Sequence, residues 1–108
     1  DRLRDTGASI LPADTMHEAL VSLRSAGVTS LLVEGGGRLA GWLLREGLVD
    51  RFYWIQSPLW LGDAGTPATA GWQAPPLSGA ERWTVVERRA LGSDTLLVLD
   101  REPCSPAS

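Results

Sequence analysis

The sequence predicts an α/β fold in which a βαβ unit precedes a C-terminal antiparallel hairpin. The first observation is a strand-like run at 29–34 that passes through three glycines into a helical pattern over 38–46. The second is an aromatic and β-branched run at 51–57, which completes the βαβ unit. The third is a pair of strand-like runs, 83–91 and 95–100, joined by a short glycine-containing turn. Because a βαβ crossover makes its two strands parallel, the sheet is predicted to be mixed, with flanking helices.

A further helix is predicted over 15–26, ahead of the βαβ unit. Thr15 and Glu18 have the spacing of a capping box. We expect His17 on the surface of this helix, because no second histidine or cysteine lies near it in the sequence. Before the helix, the apolar residues 8–11 indicate a small strand or a connector.

The segment 58–80 is predicted to be a long loop, because proline and glycine interrupt every periodic pattern in it. Loops of this length tend to be functional or mobile. Trp60 and Trp72 are expected either to cover a ligand or to anchor the loop to the core. The tail, residues 103–108, is predicted to be disordered.

The composition argues against several classes of function. The 108 residues suffice for one domain, and a formal charge of −3 lacks the basic excess that nucleic acids and acidic membranes attract. No segment approaches the length of a membrane span. The single cysteine, Cys104, cannot form an internal disulfide, so a cytoplasmic location is expected. The absence of an initiator methionine suggests that the chain begins inside a longer protein.

The candidate site is the glycine junction between the first predicted strand and its helix. Glycines let a ligand approach the main chain, and the first turn of a helix presents N–H groups at the positive end of its dipole. A phosphate is therefore expected at Gly36 to Ala40, although a tight structural turn explains the glycines equally well. Glu34 would repel a phosphate. Its carboxylate either is satisfied by the helix N–H groups or accepts hydrogen bonds from a ligand's donors.

Four motifs together carry a family resemblance, and they follow one another along the chain: Leu32-Val33-Glu34-Gly35-Gly36, Gly47-Leu48-Val49-Asp50, Pro58-Leu59-Trp60-Leu61-Gly62 and Arg89-Ala90-Leu91-Gly92-Ser93-Asp94-Thr95-Leu96. They resemble the reductase domain of the bacterial bifunctional riboflavin-biosynthesis deaminase/reductase, which has the dihydrofolate-reductase fold. The resemblance implies NADPH-dependent reduction of 5-amino-6-(5-phosphoribosylamino)uracil to its ribitylamino form.

The resemblance also implies roles for particular residues. It places a substrate contact on Glu34 and the NADP-binding segment on Gly36, Gly37, Arg38, Leu39, Ala40, Gly41 and Trp42. No catalytic side chain is expected, because the cofactor supplies the hydride chemistry and the protein supplies orientation. Arg38 is expected either to bind a phosphate oxygen or to be a solvated residue at the helix start. Asp50 is expected to be a structural residue at the start of a strand.

This chain resembles only the C-terminal part of the reductase domain. The resemblance runs from about residue 15, and this part of the domain is predicted to comprise residues 1–102. The expected partners are the missing N-terminal half, a deaminase domain and a second copy in a homodimer. No metal is expected, because the zinc motif of the deaminase is absent. Two alternatives stay open. One is a non-catalytic remnant or dimerisation module with an exposed sheet edge, and the other is a related NADPH-dependent reductase with a different substrate.

Overall fold

The computed structural model describes residues 2–102 and contains three helices and three strands within them. The helices are α1 (Arg2–Asp5), α2 (Met16–Ser25) and α3 (Gly37–Arg45), and the strands are β1 (Arg51–Gln56), β2 (Trp83–Leu91) and β3 (Asp94–Arg101). The chain divides into two compact units, one up to residue 33 and one from residue 34 onwards.

The first unit contains α1 and α2. The Thr15 side chain accepts a hydrogen bond from the Glu18 N–H at 3.1 Å, and the Glu18 carboxylate accepts one from the Asp14 N–H at 3.0 Å. The predicted Thr15 cap is therefore confirmed and the helix starts at Met16, but Glu18 accepts from the Asp14 N–H and not from the Thr15 N–H that a capping box would use. His17 is exposed, as predicted. Residues 8–11 form no strand, so of the two predicted alternatives they are the connector.

The predicted buried strand over 29–34 is wrong. Residues 28–36 belong to no strand or helix, and Leu31, Leu32 and Val33 are 52%, 72% and 40% exposed. The physical reason is that a strand exists only through hydrogen bonds to a neighbouring strand, and this segment has no such neighbour in the described chain. The expected parallel pairing of the βαβ unit is consequently not found among residues 2–102.

The second unit is built on a three-stranded sheet in the order β1-β3-β2. Both neighbours pair with β3 in the antiparallel sense, so the predicted mixed sheet is corrected to an antiparallel one. The predicted C-terminal hairpin is confirmed, with Leu91 opposite Asp94 and Gly92 at a φ of 61° in the turn. The register shifts between Val85 and Glu87, which marks a bulge in β2.

The buried apolar side chains of the described residues are Leu43 on α3 and Leu96 and Val98 on β3. Leu96 and Val98 lie two residues apart, so they share one face of the central strand. They stand opposite Ile55 and Tyr53 of β1, which are largely exposed. The core is therefore small and centred on β3.

The segment 58–80 is irregular, as predicted, apart from short 3-10 turns at Gly62–Ala64 and Leu77–Gly79. Trp60 is fully exposed and does not anchor the loop, whereas Trp72 is half-buried. The predicted disorder of residues 103–108 falls outside the described residues. Within 2–102, no helix has the length and apolar character needed to cross a bilayer.

Candidate functional site

The first turn of α3 is open. Gly36 is the residue that precedes the helix, with φ −67° and ψ 166°, and no side-chain hydrogen bond caps it. The first turn contains no acidic residue to oppose the positive end of the helix dipole. The N–H groups of Gly37, Arg38 and Leu39 precede the first helical hydrogen bond, which runs from the Ala40 N–H to the Gly36 carbonyl at 3.2 Å. The turn can therefore receive an anion.

The glycines of this segment have two different environments. A Cβ atom built on Gly36 would meet nothing within 4 Å, whereas one built on Gly37 would lie 2.5 Å from the Pro67 carbonyl oxygen. A Cβ atom on the buried Gly41 would overlap the Ala70 carbonyl oxygen and lie 3.2 Å from the Ala70 nitrogen. The Ala70 N–H also donates to the Gly37 carbonyl at 2.9 Å. Gly37 and Gly41 thus let the 67–70 backbone pack against α3, and Gly36 is open to a ligand.

The other predicted site residues lie around this turn. Glu34 and Arg38 are exposed, and Leu39, Ala40 and Trp42 are half-buried. Within residues 2–102, no hydrogen bond joins the Glu34 carboxylate to the N–H groups of the helix. Both predicted roles of Glu34, a carboxylate satisfied by the helix start and an acceptor for a ligand's donors, stay predictions. Its carboxylate remains available to an external donor.

An open groove of about 560 Å³ lies beside this turn and is lined by residues between Leu59 and Pro67; we call it the loop groove. Pro67 lines the groove, and its carbonyl faces Gly37. The groove and the first turn of α3 therefore meet at one residue. The sequence predicted an irregular loop here but gave no signal that it forms a groove against the glycine turn.

The C-terminal end of α3 is held by Arg101, a residue that the sequence did not single out. Its guanidinium donates to the Gly47 carbonyl and to the Glu81 carboxylate, the latter at 2.9 Å. The backbone N–H of Arg101 donates to the Asp50 carbonyl at 3.0 Å. Gly47 has a φ of +68°, and a Cβ atom there would lie 2.8 Å from the guanidinium. The positive φ explains this glycine, because the chain leaves α3 there with the Leu48 N–H donating to the Leu43 carbonyl at 3.0 Å.

A charged pair joins β1 to β3. Arg51 stands opposite Asp100 and donates two hydrogen bonds to its carboxylate, at 2.6 and 2.9 Å. These bonds raise the pKa of the Arg51 guanidinium and lower the pKa of the Asp100 carboxyl. The pair is exposed, so it orders the sheet rather than forming a reactive centre. Asp50 precedes Arg51 in the sequence, and its carbonyl accepts a hydrogen bond from the backbone N–H of Arg101. This contact is in keeping with the structural role predicted for Asp50.

No cluster of three or more histidine, cysteine or acidic side chains able to hold a metal ion occurs among residues 2–102. The expectation that the chain binds no metal stays a prediction.

Comparison with known proteins decides the family. The chain matches the model of the RibD C-terminal domain over residues 3–97. It belongs to the RibD C-terminal domain family. Over 49 residues it is 45% identical to the Riboflavin biosynthesis protein RibD of Corynebacterium ammoniagenes, a stretch that is 45% of this chain and 14% of that protein. The predicted family resemblance is therefore confirmed.

Two solved structures of Acinetobacter baumannii RibD, form 1 and form 2, share the fold of this RibD C-terminal domain. Each aligns with a TM-score of 0.77 and 22% identity over 94% of this chain. The chain spans 28% of the form 2 protein and 29% of the form 1 protein, which is less than a third of either. The predicted α/β class with a dihydrofolate-reductase-like fold is confirmed, and the three strands found within residues 2–102 form an antiparallel sheet.

Proposed function

We propose that this chain is part of an NADPH-dependent reductase of riboflavin biosynthesis. The substrate is 5-amino-6-(5-phosphoribosylamino)uracil, and the product is its ribitylamino form. Membership of the RibD C-terminal domain family supports a reductase role. The single structural observation that carries the proposal is the uncapped first turn of α3, with open space at Gly36.

The first turn fits the pyrophosphate of the cofactor. Its N–H groups at Gly37, Arg38 and Leu39 bind the phosphate oxygens, and the Arg38 guanidinium adds a charged contact. Ala40 uses its N–H within the helix, so the anion site ends at Leu39. Within the 36–42 segment, Gly37 and Gly41 let the helix lie against the 67–70 backbone. When bound, NADPH supplies the hydride.

Glu34 orients the substrate. Its exposed carboxylate precedes the glycine turn by one residue, so it lies near the cofactor phosphates without helping to bind them. A carboxylate accepts hydrogen bonds and repels phosphate. Glu34 therefore binds N–H or hydroxyl donors of the pyrimidine or of its opened sugar.

The complete enzyme includes more than this chain. The relatives are several times longer than the aligned region, which supports further substrate and cofactor contacts outside it. We propose the rest of the reductase domain and a deaminase domain as covalent partners, and a homodimer in the cytoplasm as the working form.

A non-catalytic dimerisation module is the second candidate. β1 is an edge strand of the sheet, and its Tyr53 and Ile55 side chains are 54% and 61% exposed. Leu59, Trp60 and Leu61, which follow it, are 73%, 101% and 69% exposed. An exposed apolar edge of this kind can recruit another chain.

Calorimetric titration of the 108-residue chain with NADPH tests the first proposal, with circular dichroism as the check on folding. We expect binding by the wild-type chain and weaker binding by Gly36→Val, because the new side chain fills the open space above the turn. Gly79→Val is the matched control, since Gly79 lies in a distant part of the loop and has only an ordinary contact, at 3.7 Å. Absence of binding by the folded chain, or equal affinity of the two variants, would overturn the assignment of Gly36 and favour the dimerisation module.

A further inference from the structure

Arg101 contacts both the end of α3 and the end of the segment that packs along it. Its guanidinium donates to the Gly47 carbonyl and, at 2.9 Å, to the Glu81 carboxylate. Gly47 belongs to the turn that closes α3, because its N–H donates to the Leu44 carbonyl at 3.1 Å. Glu81 lies just before β2, where the 57–82 segment rejoins the sheet. One half-buried side chain at the end of β3 therefore connects this strand to the helix and to the segment.

The same segment contacts the other half of α3. The Ala70 N–H donates to the Gly37 carbonyl at 2.9 Å, and the Ala70 carbonyl lies against Gly41. Because α3 has only 9 residues, it behaves as one rigid element about 13 Å long. Its position is therefore set at two places, by the 67–70 backbone along its first half and by Arg101 beyond its last turn. A displacement at either place changes the position of the whole helix, including its first turn.

The charge of Arg101 suits this location. A cation at the C-terminal end of a helix interacts favourably with the negative end of the helix dipole, so the guanidinium is held there by charge as well as by hydrogen bonds. We propose that Arg101 is a positioning residue for the first turn of α3. It contacts no ligand itself, and it fixes the helix in the position at which the N–H groups of Gly37, Arg38 and Leu39 bind the cofactor phosphates. This inference rests on the proposed function.

Arg101→Lys and Arg51→Lys are the matched variants that test it. Each replaces a guanidinium that donates two hydrogen bonds by an ammonium, which keeps the charge but cannot reproduce the fork. Arg51 bonds to Asp100 of β3 rather than to the end of the helix. Calorimetric titration with NADPH is performed at a temperature at which circular dichroism shows the 108-residue variants to be folded. We expect Arg101→Lys to weaken binding about threefold to tenfold and Arg51→Lys to leave it unchanged.

A purely structural role predicts a different result. If Arg101 only stabilised the fold, both variants would bind NADPH as tightly as the wild type once folded, or both would lose affinity in proportion to their loss of stability. Either of these outcomes would overturn the inference.

A second readout needs no ligand. In two-dimensional NMR of the ¹⁵N-labelled chain without NADPH, Arg101→Lys should shift the amides of Gly37, Arg38 and Leu39. Arg51→Lys should leave these three amides in place. Unshifted amides in Arg101→Lys would show that the first turn does not depend on this residue, and the inference would fail.

Gly47→Ala tests the same contact without changing the arginine. A Cβ atom at Gly47 would lie 2.8 Å from the Arg101 guanidinium, so the new methyl group should displace it from the Gly47 carbonyl. Gly27→Ala is the matched control, because Gly27 also has a positive φ, +90° against +68°, and a Cβ atom there meets nothing within 4 Å. Both variants carry the strain of alanine at a positive φ. Only Gly47→Ala should weaken NADPH binding, and equal affinities of the two would contradict the inference.

Failure of the inference and failure of the proposed function give different results. If the wild-type chain binds NADPH and Arg101→Lys binds it equally well, the positioning role alone is overturned. A folded wild-type chain that does not bind NADPH would overturn the proposed function and this inference with it. If Arg101→Lys does not fold, the comparison of Gly47→Ala with Gly27→Ala decides.

Discussion

Replacing Gly41 by alanine should destabilise the protein, although alanine is the better helix former. In an unobstructed helix, glycine to alanine gains about 1 kcal/mol. At Gly41 the new methyl group would meet the backbone of Ala70, and the nearest atom is a carbonyl oxygen that cannot rotate away. Overpacking against fixed atoms costs about 2–3 kcal/mol, at the upper end of the usual range. The net expectation is a loss of about 1–2 kcal/mol, from the difference of these two effects.

Thermal unfolding followed by circular dichroism measures this loss. For a chain of this size it corresponds to a fall in Tm of about 5–15 °C. Gly36→Ala is the matched control, because a Cβ atom there meets nothing within 4 Å. The control should lose only about 0.5 kcal/mol, the difference between glycine and alanine before a helix start. A Gly41→Ala protein that is as stable as the wild type, or more so, would refute the packing of the 67–70 backbone on α3.

Three further predictions concern other parts of the second unit. In the complete protein, Glu34→Gln should weaken substrate binding more than NADPH binding in paired titrations, and equal losses in both would contradict its role. Asp100→Asn should lower the urea midpoint at neutral pH. Because the folded-state pKa of Asp100 is lowered, the greater stability of the wild type is fully present above the ordinary pKa of 3.8. This stability difference is lost as the pH falls through the lowered pKa. An advantage that does not diminish as the pH falls below 3.8 would argue against the ion pair. Arg101→Lys should cost about 1 kcal/mol in urea unfolding, since an ammonium cannot reproduce both guanidinium contacts; an unchanged midpoint would show that these contacts contribute nothing.

Local signals in the sequence predicted several elements correctly. Thr15 and Glu18 lie three residues apart, and their hydrogen bonds form within one turn, so neighbouring residues alone fix the start of α2. The hairpin is equally local, because Gly92 supplies the positive φ that its turn requires. The glycine junction also marked the start of α3, which begins at Gly37.

Features that depend on distant residues could not be predicted. The run 29–34 has the composition of a buried strand, but composition does not provide the neighbouring strand that would pair with it. The glycines at 36, 37 and 41 look alike in the sequence, and only the position of the 67–70 backbone separates the open one from the two that are packed. Arg101 gave no signal, because its partners lie 20 and 54 residues away.

The contacts of Arg101 make the end of the last strand and the end of α3 one cooperative element. Arg101 is the last residue of β3. Its backbone N–H donates to the Asp50 carbonyl, and its guanidinium donates to the Gly47 carbonyl. Opening of β3 at this end would release the C-terminal end of α3 in the same event, so amides of the last helical turn and of the strand end should exchange with solvent at similar rates. If the glycine turn binds the cofactor as proposed, substitutions of Arg101 should change its affinity although Arg101 contacts the opposite end of α3.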